Sequence, residues 1–205
     1  MEIYAGKKTF YAKNRKTWRN WLEKNNDKAK PVWLIIYKKG TTKKSINYVE
    51  AVEEALCFGW IDSKANKRDE ESVYQFFTKR NPKSNWSKSN KDWVTKLIEQ
   101  GVMTSKGLET IELAKTNGTW TALDSIENLE VPIDLKKALI QNPVAAKHFD
   151  GFPRSVKKGI LEWIQNAKKE ETREKRIHET VSLALKNIRA NQYTGEKVRY
   201  NEYSF

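Results

Sequence analysis

Apolar positions along the 205-residue chain follow two regimes: short runs and alternations up to about residue 85, and helical spacing beyond it. Trp18, Trp21 and Leu22 recur at spacings of three and four between Asn14 and Glu23, which predicts a short amphipathic helix; Pro31 stops whatever precedes it. The run VWLIIYKK over 32–39 is β-branched and aromatic on successive positions, the mark of a strand buried on both faces, and Gly40 ends it. Asn47 and Glu50 have the spacing of a capping box ahead of Val49, Val52, Ala55 and Leu56. A helix is therefore expected over 48–58, with Gly59 as its stop. Residues 60–68 and 72–79 flank the acidic turn Asp69-Glu70-Glu71. In the second of them Val73, Gln75 and Phe77 alternate with Tyr74, Phe76 and Thr78, so the pair reads as an antiparallel hairpin.

After Asn81-Pro82 the pattern is helical. Ser87 or Ser89 is placed to cap a helix carrying Trp93, Val94, Leu97 and Ile98, which Gly101 ends. Thr104 or Ser105 is placed to cap the next, with Leu108, Ile111 and Ala114 on one face. Pro132 and Pro143 occupy first-turn positions, the second directly behind Asn142. From Ser155 the core face is Val156, Ile160, Trp163, Ile164 and Ala167; from Arg173 it is Ile177, Val181, Ala184 and Ile188. The fold class that follows is α+β: a small antiparallel or mixed sheet with helices in residues 1–85, and an all-helical region, 86–190, packed on it. Residues 191–205 lack periodicity and read as an irregular tail; 124–131 is the most linker-like stretch.

Composition removes whole classes of function. One cysteine allows no internal disulfide, and with two histidines it cannot close a zinc site, so no structural metal and no cofactor is expected. The longest uncharged apolar run, 32–37, is far shorter than a membrane span. The first residues, MEIYAGKKTFYAKNRKTW, lack the apolar stretch of a signal peptide, so the expected compartment is the cytoplasm. The net charge of +13 is uneven: residues 1–50 hold 13 basic and 4 acidic side chains, residues 101–150 hold 5 and 7, and residues 151–205 hold 12 and 7. Such a field attracts nucleic acid, anionic headgroups or small anions, and it equally suits lysine-rich solvated helices.

Candidate chemistry is sparse. The stretch 39–45, KGTTKKS, ends like a phosphate-binding loop, yet Lys38 and Lys43 stand where that loop requires glycine, which argues against a nucleoside-triphosphate cradle. Cys57 would need a base from His148 or His178 to act as a nucleophile, and a lone cysteine in an apolar helical turn is more often a small buried hydrophobe. The pairs Glu53-Glu54 and Glu70-Glu71 lack the desolvated setting of a general acid. Asp62 emerges from the apolar stretch 58–61 and must be paired or face a cleft. Arg80 is its natural partner, since pairing across the 69–71 turn brings it near residue 61. Residues 79–91 hold five basic side chains, six Asn or Ser, Trp86 and no acid, which suits phosphate contacts and base stacking. The alternative is a strand-to-helix loop whose Trp plugs the core and whose serines cap the next helix. Arg154, Lys157 and Lys158 begin a predicted helix, where cations need an anionic neighbour.

Three segments resemble the bacterial YdeI/OmpD-associated family, also labelled bacteriocin-protection proteins. They are AVEEALCFGWIDSK (51–64), FTKRNPKSNWSKSNKDWVTKLIEQGVMTSKGLETIELAKTNGTW (77–120) and AKKEETREKRIHETVSLALKN (167–187), and the likeness runs from about residue 10 to 190. Its marks are Cys-Phe-Gly-Trp-Ile-Asp, a Phe-x-x-Arg with Ser-x-Trp-Ser downstream, and a late Glu-Thr-Arg-x-x-Arg. The resemblance implies resistance to antimicrobial peptides or bacteriocins, association with an outer-membrane porin and a periplasmic setting; it supplies no catalytic residues.

The leading expectation is a non-enzymatic binding or stress-resistance protein that grips a small or peptidic anionic ligand. Its groove would be formed by Trp60, Asp62, Arg80, Ser84 and Trp86, with Arg173 and Arg176 from the late helix closing it, either on Asp62 or on the bound anion. The rival is a nucleic-acid-binding protein using the basic loop around Trp86. A minor alternative is an enzyme built on Cys57.

Overall fold

The computed structural model describes residues 2–28 and 30–191; the expected tail lies, apart from Asn191, outside them. The described chain divides into two compact units, one up to Thr121 and one from Ala122.

In the first unit, five strands form a mixed sheet in the order β1-β2-β3-β5-β4. β1 (Ile3–Tyr4) and β2 (Lys7–Tyr11) make a hairpin whose two turn residues, Ala5 and Gly6, both have positive φ, 46° and 70°, as tight hairpin turns require. The apolar pattern does not reveal this hairpin, because only Thr9 of β2 is fully buried. β2 leads through α1 (Arg15–Asn25) into β3 (Val32–Tyr37), which pairs with it in parallel. Asn14 caps α1 by accepting from the Thr17 backbone N–H at 3.0 Å. β3 is buried from Val32 through Ile36, as its unbroken apolar run predicts.

α2 (Tyr48–Cys57) follows with the full capping box: Asn47 Oδ1 accepts from the Glu50 N–H, and Glu50 accepts from the Asn47 N–H. The hairpin β4 (Trp60–Lys67) and β5 (Ser72–Lys79) completes the sheet, with β5 antiparallel to β3. The register shifts between Asp62 and Ala65, a bulge that places Ser63 and Lys64 opposite Phe76 alone. One sheet face carries Val32, Leu34, Ile36, Val73 and Phe77 against the helices. The other buries Trp33, Ile35 and Tyr74, and Tyr4 stacks on Tyr74 with ring centroids 4.1 Å apart.

The helices α3 (Lys88–Glu99) and α4 (Ser105–Thr116) belong to this first unit: Val94, Leu97, Ile111 and Ala114 share its core, so the unit extends well past residue 85. Ser87 and Thr104, rather than Ser89 and Ser105, are the caps. α4 crosses the end of α2 closely. A Cβ on Gly107 would stand 2.4 Å from the Cys57 carbonyl oxygen, and one on Gly59, at φ +72°, would stand 2.4 Å from Thr110 Oγ1.

The second unit is helical: α5 (Asp124–Glu127), α6 (Ile133–Ile140), α7 (Pro143–Gly151), α8 (Arg154–Gln165) and α9 (Glu170–Leu185). Leu135, Phe149, Ile160, Ile164 and Ala184 lie at its centre. The stretch read as linker-like holds α5, whose Ile126 is buried. Ile188 does not continue the buried stripe of the late helix. Asn187 turns left-handed at φ 55° after α9 ends, and Ile188 is 49% exposed. No described helix is long and apolar enough to cross a membrane.

Candidate functional site

Asp62 sits on the helix-facing side of β4, opposite Phe77, and is half-buried. Its Oδ2 accepts from Tyr48 Oη at 2.9 Å and from Gln75 Nε2 at 3.0 Å. Burial raises its pKa above the usual aspartate value, against the Tyr48 hydrogen bond and the Arg80 charge, which lower it. The same burial and the Asp62 charge raise the Tyr48 hydroxyl well above a free tyrosine.

Arg80 lies just beyond β5, its backbone N–H donating to Gly59 O at 2.9 Å, so it sits two residues from its expected register beside residue 61. It is 8% exposed. The guanidinium carbon lies 3.8 Å from the centroid of Trp86, and Nη2 donates to Asn85 O at 2.5 Å. Nε and Nη1 are buried and make no hydrogen bond to the protein. Burial lowers its pKa to about 10, with the Asp62 charge opposing the shift, so the group stays cationic at neutral pH. Asp62 and Arg80 thus feel each other's charge but form no ion pair.

The two tryptophans frame this region from within the core. Trp60 is fully buried, and its indole N–H donates to Asn26 Oδ1 at 2.6 Å. Trp86 is 2% exposed and lies 5.0 Å from Trp120 by ring centroids. A buried ring offers no face for a nucleobase, so this loop follows the core-plug alternative, with Ser87 capping α3. Ser84 is half-buried in a turn closed by its own N–H to Asn81 O at 2.9 Å.

Glu53 and Glu54 are not the solvated pair their adjacency suggests. Both are buried, and Arg15 bridges them at 2.8 and 2.5 Å while Arg19 holds Glu54 at 2.7 Å. This network ties α1 to α2; the two arginines, one helical turn apart on α1, were the available signal. Cys57 is fully buried, and burial with the nearby Glu54 charge pushes its thiol up to about 11. A thiol so placed is not a thiolate at neutral pH. Both histidines belong to the second unit, where His148 Nδ1 lies 2.7 Å from Ala184 O and His178 is exposed.

Arg173 and Arg176 have their partners inside the second unit. Arg173 Nε and Nη2 fork onto Asp134 at 2.5 and 3.0 Å, the role the sequence suggested for Asp62. Arg176 Nη1 donates to Trp163 O, and its guanidinium carbon lies 5.1 Å from the Trp163 ring centroid. The cations that open α8 are also compensated locally: Lys158 pairs with Glu127 at 2.7 Å, Arg154 donates to Glu127 O, and Lys157 donates to Asp150 O at 3.0 Å.

The forked arginine lies in the segment where a known family's pattern is found. Residues 128–187 match the family described as bacteriocin-protection, YdeI or OmpD-associated. Of the three segments that resemble the YdeI/OmpD-associated family, 167–187 lies inside this match. Residues 10–110 match a domain of unknown function, DUF8412, which covers 51–64 and most of 77–120. No curated protein and no solved structure matches the chain.

Proposed function

We propose that the protein is a non-enzymatic binding protein whose first unit grips a small or peptidic ligand through a carboxylate held by Arg80. The observation that carries this reading is a cationic Arg80, 8% exposed as a residue, whose buried Nε and Nη1 lack any protein acceptor, so that a ligand reaching them must displace the side chains that cover them. An unmatched buried charge costs several kcal/mol in general, and an anionic acceptor offsets much of that cost. Asp62 sets the ligand class. A carboxylate beside it bears one negative charge, whereas a phosphate dianion would meet twice the repulsion. Tyr48 and Gln75 already hold Asp62, leaving the free Arg80 donors for the ligand. The bacteriocin-protection in the description of the family matched over 128–187 agrees with a peptidic ligand and a role in stress resistance.

Thermal melts at constant ionic strength with N-acetylglycine, a peptidic monocarboxylate, as the probe test the reading. Wild type is expected to gain stability saturably, Arg80→Lys to lose that gain, and Asp62→Asn to bind more tightly because a like charge is gone. An unsaturable shift, or one unchanged in both variants, would contradict it.

A further inference from the structure

A second basic region lies elsewhere in the first unit and is independent of Arg80. A cleft of about 600 Å³ opens beyond the carboxyl ends of the two parallel strands, β2 and β3, where the chain turns into α1 and α2. That is the position at which open sheets with parallel strands bind ligands, and the volume is that of a small-molecule site. Six cations line it, Lys13, Arg15, Lys38, Lys39, Lys43 and Lys44, against one acid, Glu50. Neither Arg15 nor Glu50 is available: Arg15 is held by Glu53 and Glu54, and Glu50 is engaged in the α2 capping box. Among the described residues Lys13, Lys39 and Lys44 make no ion pair, and Lys43 lies over the Tyr37 ring at 5.5 Å.

The loop that carries most of these lysines is pinned rather than loose. Thr41 Oγ1 lies 3.0 and 3.1 Å from the carbonyl oxygens of Lys38 and Lys43. Ser45 Oγ accepts from the Tyr37 N–H at 2.8 Å, Tyr11 Oη donates to Lys44 O, and the Ile46 N–H donates to Ala12 O at 3.0 Å. Cations on one loop repel one another, and α1 and α2 both turn positive dipole ends to the same side with no acid in the first turn of α1. A cluster of ammonium groups carried on a pinned loop in a concave site fits an oxygen-rich polyanion. Lysine point charges suit phosphate, which needs no planar fork.

We infer that this cleft binds a small ligand bearing two or more phosphate charges, with Lys13 on one wall and Lys39, Lys43 and Lys44 on the other. The loop lacks the glycines of a nucleoside-triphosphate cradle, so the contacts come from side chains rather than from wrapped backbone N–H groups. No bond is made or broken in the inference; it is a binding site.

Calorimetric titration of the full chain with pyrophosphate at low ionic strength tests it. One saturable site is expected, weakened by about tenfold or more in Lys13→Ala/Lys44→Ala. Lys168→Ala/Lys169→Ala, which removes the same charge from exposed positions in the second unit, is expected to leave affinity within about twofold. Arg80→Lys is expected to retain the site, which separates this result from the carboxylate reading. No saturable binding, or equal weakening in the two double variants, would overturn it. An oligothymidylate that binds through Lys13 and Lys44 where pyrophosphate does not would overturn it in favour of nucleic acid.

Discussion

Arg80 and Arg173 carry the same side chain and meet opposite fates. Arg173 is matched on the spot: its fork meets Asp134, and the pair holds the Asp134 carboxyl below its ordinary value of 3.8. An acid with a lowered folded-state pKa contributes stability that is complete above its unfolded value and is lost as pH falls through the folded one. Arg173→Ala is therefore expected to cost about 0–1 kcal/mol at neutral pH, as half-exposed pairs do, and the cost should shrink below pH 3.8. Urea denaturation of both proteins at neutral and acid pH checks this; a pH-independent difference would contradict it. Arg80, by contrast, remains charged without an acceptor for two of its nitrogens, which the proposed carboxylate ligand would supply. Cys57 completes the residue scale: a thiol pushed up to about 11 in the core behaves as a small hydrophobe.

Among the elements, the contact of α4 with the end of α2 and an open position on α8 make a controlled pair. Both Gly107 and Gly159 are helical, but a Cβ at Gly107 meets rigid backbone at 2.4 Å and one at Gly159 meets nothing within 4 Å. Gly107→Ala is expected to destabilise by about 1–3 kcal/mol, by forcing apart a packed crossing. Gly159→Ala should instead stabilise by about 0.5–1 kcal/mol, because alanine loses less backbone entropy in a helix. Chemical denaturation reads both; the same sign in the two variants would contradict the packing described. The elements legible in the sequence are those that bury enough apolar side chains to leave a pattern. The unbroken run of β3, the Asn47 capping box and the β4–β5 alternation all read correctly. β1 and β2 did not, because a hairpin at the sheet edge, with Lys7 and Lys8 exposed, buries too little to leave a period. α5 leaves no mark in the apolar pattern, because one turn of helix with a single buried residue is below what periodicity resolves.

Taken whole, the molecule has two units with separate cores and two uneven kinds of charge. The site region was legible where a charge left an apolar stretch, as at Asp62, and where a register carried Arg80 toward it. What the sequence hid is how strand and helix ends bring distant positions together: Tyr48 and Gln75 onto Asp62, Asp134 onto Arg173, and Lys13 into one cleft with Lys43 and Lys44. The adjacent glutamates of α2 by themselves do not point to their partners; the signal is on the other helix, in the spacing of Arg15 and Arg19. The excess of cations near the N-terminus is thus partly structural, in Arg15 and Arg19, and partly free, in the lysines of the cleft. The central claim is that Arg80 holds the carboxylate of a ligand. It is tested most directly by following the arginine Nε–H resonances of the intact protein by NMR during an N-acetylglycine titration. The buried Arg80 Nε–H is expected to shift saturably while those of Arg15 and Arg19, already held by Glu53 and Glu54, stay in place; parallel shifts of all three, or none at Arg80, would contradict the account.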